Sequence, residues 1–507
     1  MSLLHSILGQ CLRSASHVAI IDDQRKYTYA KLAGAAMHLA EQVDSATANP
    51  HVGILLPTSG AFPAALLGTW LAGRTAVPLN YLLSPEELRY VIKDSGIDTV
   101  LTAGVMLEFL GDNVLPDDLK IVKLEDVDFT GVLPLRWPPI KSDDDLAVLI
   151  YTSGTSGRPK GVMLSHGNLQ FEIEAIVKHI GLTEADTFLG VLPQFHSFGL
   201  SALTLLPLRI GSTVVYSARF VPRRIVELIS EHRPQVMMAV PSMYGALLGV
   251  KSATPDDFKS VRLPVSGGEP LPEAVYDGLL ERFNLRLLEG YGLTETSPAT
   301  NWSLPENAKR YSVGEALPGV RNLIVDEKDN PLPTGEEGEI LIAGGLVMLG
   351  YYNLPEQTQQ VFVELIDPLD GKRKQFFRTG DIGKVDEDGC LFITGRKKEM
   401  LIIGGENVFP REIEEALVRH PSVQAAAVVG MKDITRGEVP VAFVEAIEGG
   451  TIDANELRSS CRDQLAGYKV PREIRQMETL PRNPTGKILR RELVKLVASP
   501  EATQAKA

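Results

Sequence analysis

The sequence predicts an α/β protein in two parts: a large layered body with an antiparallel sheet or distorted barrel, then a small α/β domain. Three observations predict it. Short apolar runs alternate with helical patterns before residue 311, the texture of α/β layering. From 311 to 395, strand runs such as "LIVDEKDNPLPTGEEGEILIAG" are separated by Pro, Gly and Asn turns. Near Gly395 the texture changes again, and the stretch from there to the C-terminus is the size of an ordinary small domain.

Taken in chain order, "HVGILLP" reads as a strand, Gly60–Gly73 as a small-residue helix, and "TAVPLN" as strand and turn. In "SPEELRYVIKDSG", Ser84 is an N-cap, Pro85 opens the helix and Glu87 completes a capping box. "GSTVVY" leads into the helix of "VPRRIVELISEHRP", and "PQVMMAVP" into a further helix. Beyond Gly395 come a helix over Pro410–His420, strands at "SVQAAAVVGM" and "PVAFVEAI", and a helix near "ANELRSSCRDQL".

Composition excludes several functions. A chain of 507 residues is long enough for two domains and a large core. A net charge of −13 argues against non-specific nucleic-acid binding, so an anionic substrate needs locally placed cations. The acidic excess lies before residue 396, and the C-terminal part is faintly basic. Cys11, Cys390 and Cys461 are far apart, which suits a reducing, cytoplasmic setting without disulfides. No His or Cys spacing suggests zinc, and the N-terminus lacks a signal-peptide pattern. No apolar run reaches the roughly 18 residues of a membrane span, although peripheral attachment through an apolar patch stays open.

Five runs carry the chemistry. "YTSGTSGRPKG" (Tyr151–Gly161) comes after a buried strand and packs glycines, hydroxyls and Lys160 into a run suited to ringing an anion. It departs from the Gly-Lys-Ser/Thr nucleotide loop, because Lys160 lies between Pro159 and Gly161. Taken alone it is also what a flexible loop looks like. "EGYGLTETSP" (Glu289–Pro298) offers a flat ring beside exposed backbone, with Glu295 in a hydroxyl-rich turn. Upstream, "VSGGEPL" (Val265–Leu271) ends a strand in two glycines. "RTGDIG" (Arg378–Gly383) puts an aspartate in a Gly-flanked turn, as a cap or as a ribose ligand. "TGRKKEMLIIGGENVFP" places a charge run between two textures, as a solvated loop or a hinge. In "PRNPTGKILRREL", Lys487 sits on a Pro/Gly turn before a basic helix start.

In this order and at these separations, the runs resemble the adenylate-forming superfamily: acyl-CoA synthetases, luciferases and peptide-synthetase adenylation domains. The likeness extends from about Tyr27 to Leu493. It implies an N-terminal adenylating domain over 1–395, a hinge at 396–400 and a mobile α+β lid over 401–507. The implied reaction joins a carboxylate to ATP, giving acyl-AMP and pyrophosphate, then passes the acyl group to a thiol.

By the same resemblance, Thr152, Ser153, Gly154, Thr155, Ser156, Gly157 and Lys160 cradle the β- and γ-phosphates of ATP. Thr152 and Glu295 hold Mg²⁺. Gly267, Gly268 and Glu269 flank the adenine with Glu289, Gly290, Tyr291, Gly292 and Thr294, Tyr291 stacking on it. Asp381 takes the ribose hydroxyls with Arg396 nearby, and Lys398 falls at the hinge position, which in the family is usually Asp or Lys. Gly404 and Gly405 line the CoA channel, and Lys487 reaches the first active site; Lys487, His196 and Glu295 form the implied catalytic set.

His196 lies in "LPQFHSFGL", which resembles the acyl-pocket border of fatty-acyl synthetases, including bacterial acyl-carrier-protein synthetases. "PQVMMAVPSMYGALL" is the expected second pocket wall, its methionines suiting a flexible chain or plain core filling. Ala239 and Val240 stand where peptide-synthetase domains usually carry an Asp, which weakens an amino-acid substrate. The favoured expectation is an AMP-forming fatty acyl-CoA ligase. Its rivals are an acyl-acyl-carrier-protein ligase, a ligase of a non-fatty carboxylate and a non-catalytic nucleotide sensor. Oligomeric state is not readable.

Overall fold

The computed structural model describes residues 2–152, 158–433, 435–447, 449–482 and 488–498. The chain divides into two compact units. The first comprises Met1–Gly268, Leu279–Asn322 and Ile342–Arg378; the second comprises Glu269–Gly278, Leu323–Leu341 and Thr379–Ala507.

The first unit holds two sheets. In one, the neighbours run Gly350–Tyr351, Lys160–Ser165, Leu146–Thr152, Thr75–Pro78, His51–Leu55, Thr99–Thr102 and Lys120–Lys123. The last five are mutually parallel, while the first two join antiparallel at the edge. The other sheet contains the parallel set Val18–Ile21, Thr213–Tyr216, Thr187–Gly190, Val236–Ala239, Leu263–Ser266 and Leu288–Gly292. Antiparallel strands Ala299–Trp302 and Ser312–Ala316 extend it.

One apolar core contains side chains from both sheets and from the helices Leu3–Arg13, Tyr29–Ala46, Ala61–Leu71 and His166–Ile180. The helix Ala61–Leu71 is buried from Phe62 to Leu71, all round rather than on one stripe, as a helix within such a core must be. Its small residues have a steric reason. A Cβ on Gly68 would lie 2.8 Å from Leu39 Cβ and 2.9 Å from the Ala36 carbonyl oxygen. Trp70 Nε1 donates to Ala147 O at 2.9 Å, so its one polar atom is satisfied inside the core.

In the second unit, the five-stranded sheet orders Glu406–Val408, Leu401–Ile403, Gly437–Ala446 and Val423–Asp433, with Glu473–Met477 parallel to Gly437–Ala446. Successive residues of "AVVGM" alternate between two cores. Val428, Ala442 and Val444 pack with Ile413, Leu417, Leu457 and Cys461. Ala427, Val429, Val441 and Phe443 pack with Leu480 and Leu493. A strand covered on both faces reads as a continuous apolar run, as this one does.

The three cysteines are free and buried, and burial pushes the Cys11 thiol up to about 12. Among the described residues, no helix is long and apolar enough to cross a membrane.

Candidate active site

The two ends of the run Tyr151–Gly161 belong to paired strands. The strand Leu146–Thr152 returns antiparallel as Lys160–Ser165, with Tyr151 opposite Gly161 and Thr152 opposite Lys160. The nucleotide loop that this run fails to match opens directly into a helix; here the helix His166–Ile180 begins only after the second strand. Thr152 and Lys160 therefore face one another at the hairpin mouth. Ser153, Gly154, Thr155, Ser156 and Gly157 lie outside the described residues.

Glu295 sits in the 3₁₀ turn Thr294–Thr296, just past the strand Leu288–Gly292. The Thr296 hydroxyl accepts from Leu293 N at 3.0 Å and closes the turn. Gly292 is required there, since a Cβ would lie 1.6 Å from the Pro298 carbonyl oxygen. Glu295 Oε1 accepts from the Tyr351 hydroxyl at 2.8 Å, and the Lys160 ammonium lies 4.9 Å from the centre of the same ring.

The residues expected beside adenine in the first unit lie at or just past the carboxyl ends of parallel strands, where open α/β sheets bind ligands. Ala239, Ser266 and Glu289 are in register across three neighbouring strands. Past those ends, Gly267 N donates to Ala239 O at 3.2 Å. A Cβ on Gly267 would lie 3.3 Å from both Gly290 O and the Phe198 ring, and Gly268 has φ of +83°. Glu289, Gly290, Tyr291 and Gly292 are half-buried in this wall, and the Tyr291 carbonyl accepts from the Thr300 hydroxyl at 3.2 Å.

His196 is exposed and caps the short helix Ser197–Leu200, rather than packing in the core as a lone histidine commonly does. The next residue ties this motif to the Glu295 turn, with Ser197 Oγ 3.0 Å from Thr294 Oγ1. Met237 and Met238 are fully buried within their strand, as core-filling side chains are, while Met243 of the same run is half-buried.

Asp381 and Arg396 belong to the second unit. "RTGDIG" is not a tight turn, because it lies inside the long strand Arg373–Val385. Pairing with Cys390–Arg396 overrides the local turn chemistry; the register shifts between Ile382 and Gly383, and Gly380 takes a left-handed φ of +70° within the strand. Asp381 stands opposite Arg396, whose Nε lies 2.9 Å from Oδ1 of the buried carboxylate. Lys398 is exposed in the 3₁₀ turn Lys397–Glu399. Gly404 and Gly405 make the turn between Leu401–Ile403 and Glu406–Val408, with φ of +64° and +91°. Glu269 is half-buried, and Lys487 lies outside the described residues.

Two residues escaped sequence reasoning. Tyr351 joins the Lys160 and Glu295 motifs, yet in "GYYN" nothing distinguishes it from Tyr352. Glu172 is fully buried on the helix His166–Ile180. It accepts from the Ser201 hydroxyl and from Ala299 N, the latter at 3.3 Å. Burial pushes its carboxyl up to about 8, so it is protonated at neutral pH. Ser201 opens a π-helical turn, Ser201–Leu205, directly after the His196 motif. The one signal in the sequence was a glutamate on the apolar face of a helix.

Thr152 and Glu295 are oxygen donors only, and Tyr351 supplies the one hydrogen bond to the Glu295 carboxylate among the described residues. A hydroxyl and a carboxylate with an oxygen to spare fit Mg²⁺, which keeps waters and phosphate oxygens in its shell.

The chain belongs to the AMP-binding enzyme family, which it matches over residues 9–352, with the C-terminal domain of that family matched over 412–487. It is thus a member of the adenylate-forming superfamily. A feruloyl-CoA synthase of Amycolatopsis sp is 33% identical to it, over 92% of this chain and 93% of that protein. A long-chain-fatty-acid–CoA ligase of Bacillus subtilis (strain 168) is 31% identical, over 97% and 94%. The ATP-bound structure of MatB from Rhodopseudomonas palustris is similar with a TM-score of 0.86 at 30% identity, covering 98% of this chain and 99% of that one.

Proposed function

We propose that the protein is an acid–CoA ligase that works through an acyl-adenylate, and that its acid is a fatty acid. The observation that carries the adenylate chemistry is the tie of Lys160 and Glu295 through the Tyr351 ring, with the glycines Gly290 and Gly292 on the strand before the Glu295 turn.

A carboxylate is a poor electrophile, because attack on it must expel oxide. In the first step its oxygen attacks the α-phosphorus of ATP, the α–β bridge breaks and pyrophosphate leaves. Both partners are anions, so catalysis is mainly positioning and charge neutralisation. Lys160 and Thr152 take the outer phosphates, Glu295 with Thr152 takes Mg²⁺, and Asp381 with Arg396 takes the ribose. Mg²⁺, when bound, neutralises phosphate charge and aligns the oxygens. In the second step the CoA thiolate attacks the acyl carbon and AMP leaves. Rotation about Lys398 brings Gly404 and Gly405 in and takes Lys487 out.

The fatty acid is supported by the "FHSFGL" motif and by the Bacillus subtilis relative. The feruloyl-CoA synthase favours a second reading, an aryl acid at the same site. A competition assay separates them: purified protein with ATP, Mg²⁺ and CoA is offered acetate, octanoate, palmitate, ferulate and amino acids. Each buried methylene contributes about 0.8 kcal/mol, so octanoate and palmitate are expected to exceed acetate in kcat/KM by orders of magnitude. Preference for ferulate would replace the fatty acid with an aryl acid. Replacing CoA by an acyl carrier protein in the same assay tests the acceptor.

A further inference from the structure

We infer that Tyr351 is a positioning residue for adenylation, its ring seating the Lys160 ammonium while its hydroxyl fixes the Glu295 carboxylate. This rests on the reading of Lys160 as a phosphate ligand and Glu295 as a magnesium ligand, and it adds what sets their spacing.

The geometry is built rather than incidental. The strand Gly350–Tyr351 pairs antiparallel with Lys160–Ser165, Tyr351 standing opposite Val162, two residues from Lys160. Leu349 N donates to Met163 O at 2.9 Å and Tyr352 N to Gly161 O at 2.8 Å, so the ladder holds both flanks. Tyr351 N donates to Thr358 Oγ1 at 2.9 Å, and that hydroxyl lies 3.0 Å from Leu354 O. A Cβ on Gly350, whose φ is +142°, would come within 2.6 Å of the Thr358 side chain. The close approach of Thr358 thus requires glycine next to the tyrosine.

The segment before Tyr351 grips the Glu295 turn directly. Met348 N donates to Glu295 O at 2.9 Å, and the Ser297 hydroxyl donates to Leu346 O at 2.7 Å. Asn168 Nδ2 donates to Gly345 O and Val347 O at 2.7 and 2.9 Å, anchoring the same segment to the helix that succeeds the hairpin. One stretch of chain therefore connects the cation at the hairpin mouth to the carboxylate on its turn, and Tyr351 is where the connection reaches both side chains.

The two ends of the ring do different chemistry. An aromatic face is electron-rich and attracts an ammonium, which narrows the arc that a long lysine explores. The phenol donates 2.8 Å to Glu295 Oε1, leaving the other carboxylate oxygen for the metal.

The test compares Tyr351→Phe, Tyr351→Leu and Glu295→Gln with wild type. ATP binding is measured by titration calorimetry without acid or CoA, once with Mg²⁺ and once with a chelator. Tyr351→Phe keeps the ring and loses the hydroxyl. It should bind metal-free ATP as wild type does and lose roughly 10-fold of the tightening that Mg²⁺ brings, the scale for removing a group that orients a metal ligand. Tyr351→Leu should also weaken metal-free binding, because Lys160 loses its seat. Equal loss by Tyr351→Phe with and without Mg²⁺ would mark a merely structural residue and overturn the inference. A wild-type Mg²⁺ response in Tyr351→Phe, with Glu295→Gln impaired, would overturn it and leave the metal reading standing. An unchanged response in Glu295→Gln would sink both.

Discussion

Glu172 occupies a position that helical periodicity assigns to the core, since Leu169, Ile173 and Ile176 on the same face are buried with it. Its carboxyl rises from an ordinary 4.5 to about 8 because burial disfavours the charge, which its hydrogen bonds to Ser201 and Ala299 only partly offset. Folding therefore takes up a proton between those values. The contribution to stability is fully present below about pH 4.5, falls by about 1.4 kcal/mol per pH unit through the window, and levels above about 8. Glu172→Gln should remove that slope in denaturant unfolding measured from pH 5 to 8; parallel profiles for variant and wild type would contradict it. At this scale legibility tracked how local the chemistry was. His196, Glu295 and Asp381 sit in runs whose neighbours announce them. Tyr351 owes its importance to a cross-strand partner and to a turn 56 residues earlier in the chain.

Elements whose signals are self-contained were legible to within a residue or two. The helix Pro85–Ser95 has Ser84 Oγ accepting from Glu87 N at 3.3 Å and Glu87 Oε2 accepting from Ser84 N at 3.1 Å. Gly96 ends it with φ of +67°. Ser84→Ala should lower stability by about 1 kcal/mol in denaturant melts while kcat/KM stays at the wild-type value. A change in kcat/KM would connect this cap to the site. Where pairing decided the element, local signals misled. "RTGDIG" carries turn residues, yet it is held as strand by the ladder to Cys390–Arg396. By contrast, "SVQAAAVVGM" was legible as a strand from its apolar run, although with both faces covered it shows no period. The hydroxyl-rich run at Tyr151 signalled a loop, and the pairing of Tyr151 with Gly161 and of Thr152 with Lys160 at its ends was not legible.

For the whole molecule, the family was legible because five weak motifs recur in one order, each from a different part of the chain. The acid was less so, since a pocket is shaped by side chains distant in sequence, and burial of Met237 and Met238 does not name a substrate. We propose that adenylation precedes and is separable from thioester formation, with Lys487 serving the first step and Lys398 the change between steps. Acid-dependent exchange of labelled pyrophosphate into ATP, with CoA left out, tests it most directly. Wild type should exchange freely, Lys398→Pro should match it because fixing φ at the hinge blocks only the later rotation, and Lys487→Ala should fall by roughly 10²-fold or more. Exchange that appears only when CoA is added, or that both substitutions reduce equally, would contradict the account.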